Sequence, residues 1–118
     1  MASPQYTALV DQLNANRQTL QVQYDLLRGL TAQRGENQAV KTEFGILEAD
    51  GVIWKLVGPV MIRQDREEAM ANVEKRIEFI DGEIYKAEEA IKVLEQEFET
   101  KRAELMKLQG ENQPEVRA

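Results

Sequence analysis

The sequence contains no cysteine and no histidine among its 118 residues. Without cysteine the chain cannot form a disulfide or a thiolate, and without either residue it lacks the usual zinc ligands. Histidine is also the side chain that most often transfers protons near neutral pH. Disulfide-stabilised folds, zinc sites of the usual kind and histidine-based catalysis are therefore excluded.

Aromatic residues and long apolar runs are also scarce. Aromatic side chains make up 6% of the sequence, charged ones 31% and hydrophobic ones 42%. This mixture is typical of long helices with a narrow apolar stripe. No apolar run approaches the roughly 18 to 20 residues of a membrane span, and the N-terminus lacks a signal-peptide pattern. We therefore expect a soluble intracellular protein without a membrane partner.

Basic residues are too few for a nucleic-acid binder, since the net charge is −6 at pH 7. Binding to a nucleic-acid backbone depends on lysine and arginine to neutralise phosphates. Acidic clusters such as Glu67-Glu68 and Glu88-Glu89 could suggest paired catalytic carboxylates or a cation site. On a long helix they form a solvated face, and no enclosed cleft is predicted that could shift their pKa values. We expect no catalysis, no cofactor and no metal.

The helical pattern stops in one stretch, between Gly51 and Gln64. Its β-branched and aromatic residues predict two strands, which the pair Gly58-Pro59 joins. A type II′ turn fits this pair, because glycine tolerates the positive φ of the first central position and proline suits the second. The predicted cross-strand pairs are Val57 with Val60, Leu56 with Met61, Lys55 with Ile62, and Trp54 with Arg63.

Both faces of this hairpin are predicted to be apolar, one carrying Val52, Trp54, Leu56 and Met61 and the other Ile53, Val57, Val60 and Ile62. A lone two-stranded hairpin is marginal in water, so we expect the chain's own helices to cover one face and another hairpin to cover the other. The predicted oligomerisation residues are these eight apolar residues and the two turn residues, namely Val52, Ile53, Trp54, Leu56, Val57, Gly58, Pro59, Val60, Met61 and Ile62. For Trp54 we favour a cation–π contact with Arg63 over a ligand-binding role.

The segment before the hairpin predicts one long helix over residues 4–47, starting at Ser3-Pro4 with serine as N-cap. Apolar residues follow a 3,4 spacing, with Asn16 and Gln23 as polar interruptions, at Tyr6, Leu9, Leu13, Leu20, Leu27 and Leu30. The pattern thins near Gly35 and resumes one residue out of step at Val40, followed by Phe44 and Leu47. This predicts a register shift near Gly35.

The segment after the hairpin predicts a second helix over residues 66–109, opened by a capping box of Asp65 and Glu68. Its apolar spacing is unbroken apart from Lys101, with seam positions at Met70, Val73, Ile77, Ile80, Ile84, Ala87, Ile91, Leu94, Phe98, Leu105 and Leu108. Such a narrow stripe indicates a coiled-coil seam. Gly110 is predicted to end the helix, and residues 111–118 to form a disordered tail.

Two helices of equal length joined by a hairpin predict a mostly α fold, a long antiparallel two-helix coiled coil with a single β-hairpin, in one domain over residues 1–118. Both ends of the chain then meet at the far end of the coil. There the apolar side chains exceed what a two-helix seam buries, and they comprise Tyr6, Leu9, Val10, Leu13, Leu105, Met106 and Leu108. We call these seven residues the tip cluster. They predict either ordinary end packing or a surface that binds other chains.

Three segments resemble the β-type prefoldin subunits. They are the hairpin Val52-Ile-Trp-Lys-Leu-Val-Gly-Pro-Val-Met-Ile-Arg-Gln64, the run Val73-Glu-Lys-Arg-Ile-Glu-Phe-Ile80 after it, and Glu36-Asn-Gln-Ala-Val-Lys-Thr-Glu43 before it. The resemblance extends over about residues 6–109. The sequence departs from the usual pattern at Trp54, where tyrosine or phenylalanine is common, and at Gly45, late in the first helix.

The resemblance implies a heterohexamer of two α-type and four β-type subunits, whose hairpins form a double β-barrel platform. It also implies that the tips of the coiled coils hold unfolded proteins, notably actin and tubulin, and deliver them to the cytosolic group II chaperonin without using ATP. A different function remains open, that of a structural coiled-coil adaptor or scaffold that binds one folded partner.

Overall fold

The computed structural model describes residues 3–47 and 51–112. Helix α1 spans Pro4–Ile46, strands β1 and β2 span Ile53–Val57 and Val60–Gln64, and helix α2 spans Arg66–Asn112. The strands form one antiparallel two-stranded sheet between the helices. The predicted mostly α fold, two long helices joined by a single β-hairpin, is confirmed.

Helix α1 begins at the predicted N-cap. The Ser3 hydroxyl accepts a hydrogen bond from the Tyr6 backbone N–H at 3.1 Å, and the Ser3 carbonyl accepts one from Thr7 at 3.0 Å. Pro4 occupies the first helical position, where its missing N–H costs no helical hydrogen bond. Local sequence therefore determines where α1 starts.

Helix α2 is capped by the carboxylate of Asp65, which accepts a hydrogen bond from the Glu68 N–H at 3.3 Å. Glu67 and Glu68 lie in the first turn, where negative charge favours the positive end of the helix dipole. The prediction that Gly110 ends this helix is wrong, because α2 continues to Asn112 and Gly58 is the glycine with a positive φ among the described residues. Residues 111 and 112, predicted to lie in the tail, are helical, whereas 113–118 and most of the loop before the hairpin lie outside the described residues.

The described chain divides into two compact units. Unit 1 contains residues 3–27 and 86–112, and unit 2 contains residues 28–47 and 51–85. The helices run antiparallel in unit 1, since Tyr6 contacts Gln109 and Asn16 contacts Leu94. They do so in unit 2 as well, where Arg34 pairs with Asp81 and Lys41 with Glu74. Buried apolar side chains are Leu13, Leu30, Ile53, Ala69, Val73, Ile77, Ile80, Ala87 and Ile91.

The predicted register shift in α1 is wrong. Burial continues from Leu27 and Leu30 in the same 3,4 spacing to residues 34, 37, 41 and 44, while Val40 is exposed. Of the three seam positions there that lack an apolar residue, Asn37 fills one, and Arg34 and Lys41 fill the other two. Arg34 and Lys41 each pair with an acid on α2. Long basic side chains can pack their aliphatic stems in a seam and keep the charge in water, so the periodicity survives without apolar residues.

Candidate functional site

The hairpin has the predicted register. Val57 lies opposite Val60, Leu56 opposite Met61, Lys55 opposite Ile62 and Trp54 opposite Arg63, and the last pair of the ladder is Ile53 with Gln64. Gly58 takes a φ of 58°, as the first central position of a type II′ turn requires. The turn and the strand propensities therefore set the strand alignment in advance of any partner.

The apolar side chains of the hairpin are exposed on both faces. Ile53 is 7% exposed, whereas the others expose between 42% and 67% of their surface, namely Val52, Trp54, Leu56, Val57, Val60, Met61 and Ile62. The expectation that the chain's own helices cover one face of the hairpin is therefore wrong, except at Ile53. Because a strand rises about 3.3 Å per residue, Val57 lies about 13 Å along β1 from Ile53, and it is 49% exposed.

Ile53 marks the place where the hairpin meets the helices of unit 2. A groove of about 180 Å³ lies there, and its lining includes Phe44 of α1 and Val73 of α2. Trp54 lines the same groove while remaining 55% exposed. Arg63 is its cross-strand partner, but the cation–π contact found among residues 3–47 and 51–112 joins Arg17 to the Phe98 ring, at 5.8 Å from its centroid.

The tip cluster lies entirely in unit 1 and is mostly half-buried. Gln109 donates a hydrogen bond from Nε2 to the Tyr6 hydroxyl at 3.0 Å, which ties the start of α1 to the end of α2. Leu9 and Leu108 line one groove of about 470 Å³. The structure thus brings the two halves of the cluster together, as the antiparallel pairing predicts.

Members of the tip cluster differ in accessibility. Leu13 is 8% exposed and belongs to the core, whereas Met106 is 57% exposed and projects from the seam. The remaining five are half-buried, and they are Tyr6, Leu9, Val10, Leu105 and Leu108. Leu13 can therefore meet another chain only if the helices of unit 1 separate, while Met106 is accessible as the structure stands.

A second groove of unit 1, of about 750 Å³, was missed by the sequence analysis. Its lining includes Leu27, Ile91 and the pair Tyr24 and Glu95, in which the tyrosine hydroxyl donates to the carboxylate at 2.7 Å. This hydrogen bond, with smaller contributions from burial and from the negative charge of Glu95, raises the pKa of Tyr24. Tyr24 is one residue beyond the seam position Gln23, and that spacing is the signal that could have found it.

Exposed apolar side chains outside both candidate surfaces were also missed, and they include Val22, Ile46, Phe79, Tyr85 and Val93. All of them fall between seam positions of the 3,4 repeat, which is how the sequence could have indicated them. Within residues 3–47 and 51–112, no group of acidic side chains is arranged to hold a metal ion. No helix in that part of the chain is long and apolar enough to cross a membrane.

Two long helices that flank an exposed antiparallel hairpin define a class of coiled-coil subunit. A family model described as a prefoldin subunit matches residues 7–112, which is most of the sequence, and the chain belongs to the prefoldin family. Prefoldin is a family of chaperones, and its subunits form oligomeric complexes with other prefoldin subunits.

Curated relatives named prefoldin subunit 6 are similar over most of the chain. The protein of Arabidopsis thaliana is 42% identical over 86 residues, covering 73% of this chain and 67% of its own length. The Bos taurus protein is 39% identical over 99 residues, covering 79% of this chain and 77% of its own. The Saccharomyces cerevisiae protein is 43% identical over 79 residues, covering 67% and 69%.

The crystal structure of the prefoldin beta subunit from Thermococcus strain KS-1 matches the fold with a TM-score of 0.85. The match covers 90% of this chain and 93% of that one at 23% identity. The beta2 subunit from the same strain matches with a TM-score of 0.68 at 16% identity, covering 77% of this chain and 97% of that one. These similarities confirm the predicted resemblance to β-type prefoldin subunits.

Proposed function

We propose that this chain is a subunit of a heterohexameric, ATP-independent co-chaperone of two α-type and four β-type subunits. It captures unfolded proteins, such as actin and tubulin, at its tip cluster and transfers them to the cytosolic group II chaperonin. The whole chain, residues 1–118, acts as one prefoldin domain. The compartment we propose is the cytoplasm, with the nucleus as a further location.

Assembly through the hairpin is supported by the exposure of both of its faces. Trp54 and Leu56 on one face are 55% and 67% exposed, and Val60 on the other is 56% exposed. Each strand of a two-stranded sheet is also an edge strand, with backbone groups free to pair with another strand. Neighbouring hairpins from other subunits would satisfy the backbone and cover the apolar side chains together.

Client capture at the tip is supported by the half-buried state of most of the tip cluster. A half-buried side chain such as Leu9 or Leu108 can bury further apolar surface against a client, but less than an exposed side chain could. Full burial of such a side chain contributes about 1.5 to 3 kcal/mol, so partial burial against a client contributes less. One tip should therefore bind weakly, and several tips in one complex should bind well through effective concentration.

No enzymatic activity forms part of the proposal. The acidic side chains of α2 are exposed to solvent apart from Glu83, which is half-buried. Transfer of a client then depends on competition between binding surfaces rather than on a chemical step. No cofactor is needed for this.

The decisive experiment removes the tip and retains the hairpin. A subunit lacking residues 1–10 and 105–118 should still assemble with its partner subunits, because the hairpin is untouched. It should protect denatured actin and several unrelated denatured proteins less well than the full chain, as measured by light scattering after dilution from denaturant. A matched control lacking only residues 113–118, which lie beyond α2, should protect as well as the full chain.

Equal protection of every client by the truncated and full-length complexes would mean that capture does not depend on this tip. A complex that protects no unfolded protein at all, yet binds one folded partner, would instead favour the structural adaptor. Assembly itself is read separately by co-elution with the partner subunits, so loss of assembly cannot be mistaken for loss of capture.

A further inference from the structure

Asn16 is the buried polar side chain of the core described above, with 6% of its surface exposed. It occupies a seam position of α1 between Leu13 and Leu20. Its Nδ2 atom donates a hydrogen bond to the backbone carbonyl of Leu94 on α2 at 3.1 Å. Its Oδ1 atom is buried and has no hydrogen-bond partner among the residues that the structure describes.

This arrangement makes the closed seam less stable than an apolar residue would. A buried carbonyl without a partner loses its hydrogen bonds to water and gains nothing in exchange. The carbonyl of Leu94 lies inside α2, where the helix itself supplies a donor, so the contact from Nδ2 uses its second lone pair. A leucine at this position would add apolar burial and would leave no polar atom unpaired.

Separation of α1 from α2 at this point removes the penalty, because water then reaches Oδ1. Between Asn16 and the ends of the helices the seam is less completely buried than in the rest of unit 1. Leu13 is the seam side chain there that is less than a tenth exposed. The other seam positions of that segment are half-buried, and they are Tyr6, Leu9, Phe98, Lys101, Leu105 and Leu108.

On the other side of Asn16 the seam of unit 1 is better closed. Ala87 and Ile91 of α2 are 2% and 7% exposed. The Tyr24 hydroxyl also bridges the two helices there through its hydrogen bond to Glu95. An opening that begins at the tip cluster therefore meets increasing resistance once it has passed Asn16.

We propose that Asn16 is the point up to which the tip cluster opens, and that its unpaired carbonyl keeps a minor open state populated. In the open state Leu13 joins the accessible side chains of the cluster. The regulation of client capture by this opening rests on the proposed function, but the equilibrium itself does not. It is a property of the chain without any client.

The absence of cysteine from the sequence allows a direct test with two spin labels. The full-length chain carrying Ala8→Cys and Lys107→Cys places one label on each wall of the tip groove, at exposed positions. Pulsed electron paramagnetic resonance should show a short distance between the two labels and a minor population with longer distances. Adding Asn16→Leu should reduce the longer population by about fivefold or more, since the unpaired carbonyl is gone.

Two controls accompany this measurement. Asn14→Leu makes the same chemical change at an exposed position two residues away and should leave the two populations unchanged. Labels at Lys41→Cys and Glu74→Cys, whose native side chains approach to 3.8 Å in unit 2, should give one short distance in both backgrounds. A single short distance at the tip with Asn16 present would overturn the proposal. So would an unchanged open population in Asn16→Leu, or an equal reduction in Asn14→Leu.

Client protection measured on the same variants separates this inference from the proposed function. Closure of the tip by Asn16→Leu together with weaker protection supports both. Closure with unchanged protection supports the opening at Asn16 and counts against capture by the open tip.

Discussion

The hairpin and the tip cluster both bring apolar side chains to the surface, but to different degrees. In the hairpin, Leu56 and Val60 are 67% and 56% exposed, and the helices bury only Ile53. In the tip cluster, Leu9 and Leu108 are half-buried against the neighbouring helix and Leu13 is in the core. The hairpin is thus left uncovered by its own chain, whereas the tip cluster largely covers itself.

Under the proposed function, this difference distinguishes a permanent interface, the hairpin, from a reversible one, the tip cluster. Seven exposed apolar side chains in one hairpin form a patch that a free chain in water does not tolerate well, so a lasting partner is expected. When a partner dissociates, half-buried side chains lose less apolar burial than exposed ones, because the neighbouring helix still covers part of their surface. A partner bound to them can therefore leave more easily. Two kinds of apolar surface on one chain are therefore consistent with the proposed assembly, which would hold its subunits firmly and its clients loosely.

The largest effect is expected when charges are placed on one face of the hairpin. Val57→Asp together with Ile62→Asp places two charges on one face, where the native residues are each 49% exposed. The double variant should no longer co-elute with partner subunits on size exclusion, because the face can no longer be buried. Its helical circular dichroism should stay close to that of the unmodified chain, since both positions lie outside the helices.

The matched control is Val22→Asp together with Val93→Asp, which changes exposed apolar residues of unit 1. This variant should assemble normally. Co-elution of the hairpin variant in unchanged amount would show that the exposed faces are not the assembly surface.

A smaller effect, on the free energy of unfolding, is expected from truncating isoleucines of the seam, and it should differ between buried and half-buried positions. Ile77, Ile80 and Ile91 are 6–8% exposed, so truncating any one to alanine should cost about 2 to 5 kcal/mol in urea unfolding. Ile84 is half-buried, as most of the tip cluster is, and should cost less. Phe79→Ala, at a position 69% exposed, is the control and should change the free energy of unfolding by less than about 0.5 kcal/mol. Losses below that value at all four isoleucines would contradict the antiparallel pairing of α1 with α2.

A partial effect is expected from Met106→Ser at the tip cluster. Met106 is 57% exposed, so its replacement should leave the free energy of unfolding nearly unchanged. Protection of denatured clients should weaken measurably but incompletely, since one of several apolar contacts is lost. Val93→Ser, at a residue 51% exposed outside the cluster, should protect as the unmodified subunit does. If both variants weaken protection equally, general surface hydrophobicity and not the tip cluster governs capture.

The smallest effect concerns Tyr24, which lies in unit 1 outside the tip cluster. Its hydrogen bond to Glu95 raises its pKa above the ordinary value near 10. The bond therefore stabilises the fold at pH values below about 10 and is lost as the pH rises through the raised pKa. Tyr24→Phe should lower the thermal midpoint slightly at pH 8, and the difference between the two chains should shrink as the pH approaches 11. If the difference in thermal midpoint grew as the pH rose, the hydrogen bond would not stabilise the fold in the way expected here.

The hairpin could be predicted in detail from the sequence. Gly58-Pro59 admits one kind of tight turn, and once that turn is set the period of two along each strand fixes every cross-strand pair through to Trp54 and Arg63. The N-caps Ser3 and Asp65 were equally local, because their side chains contact the backbone three residues away. Where one short-range interaction decides a feature, a single sequence is sufficient.

The seam of α1 and the end of α2 could not be predicted in the same way. Apolar periodicity alone suggested a shift at Val40, because Arg34 and Lys41 do not read as seam residues until Asp81 and Glu74 are seen opposite them. Gly110 resembled a helix end, yet the helical conformation continues through it. The identity of the residue on the facing helix decides such positions, and that information is absent from the local pattern.

By itself the sequence determined the two helices, the turn, the strand register and the family, since each depends on propensities, caps and periodicities that act within a few residues. The tertiary structure alone decided that the helices leave the hairpin uncovered beyond Ile53, that basic side chains complete the seam, and that Asn16 keeps an unpaired carbonyl in the core. The physical reason is that burial and hydrogen-bond satisfaction belong to pairs of surfaces. Neither can be assigned to a residue until its neighbour across the interface is known.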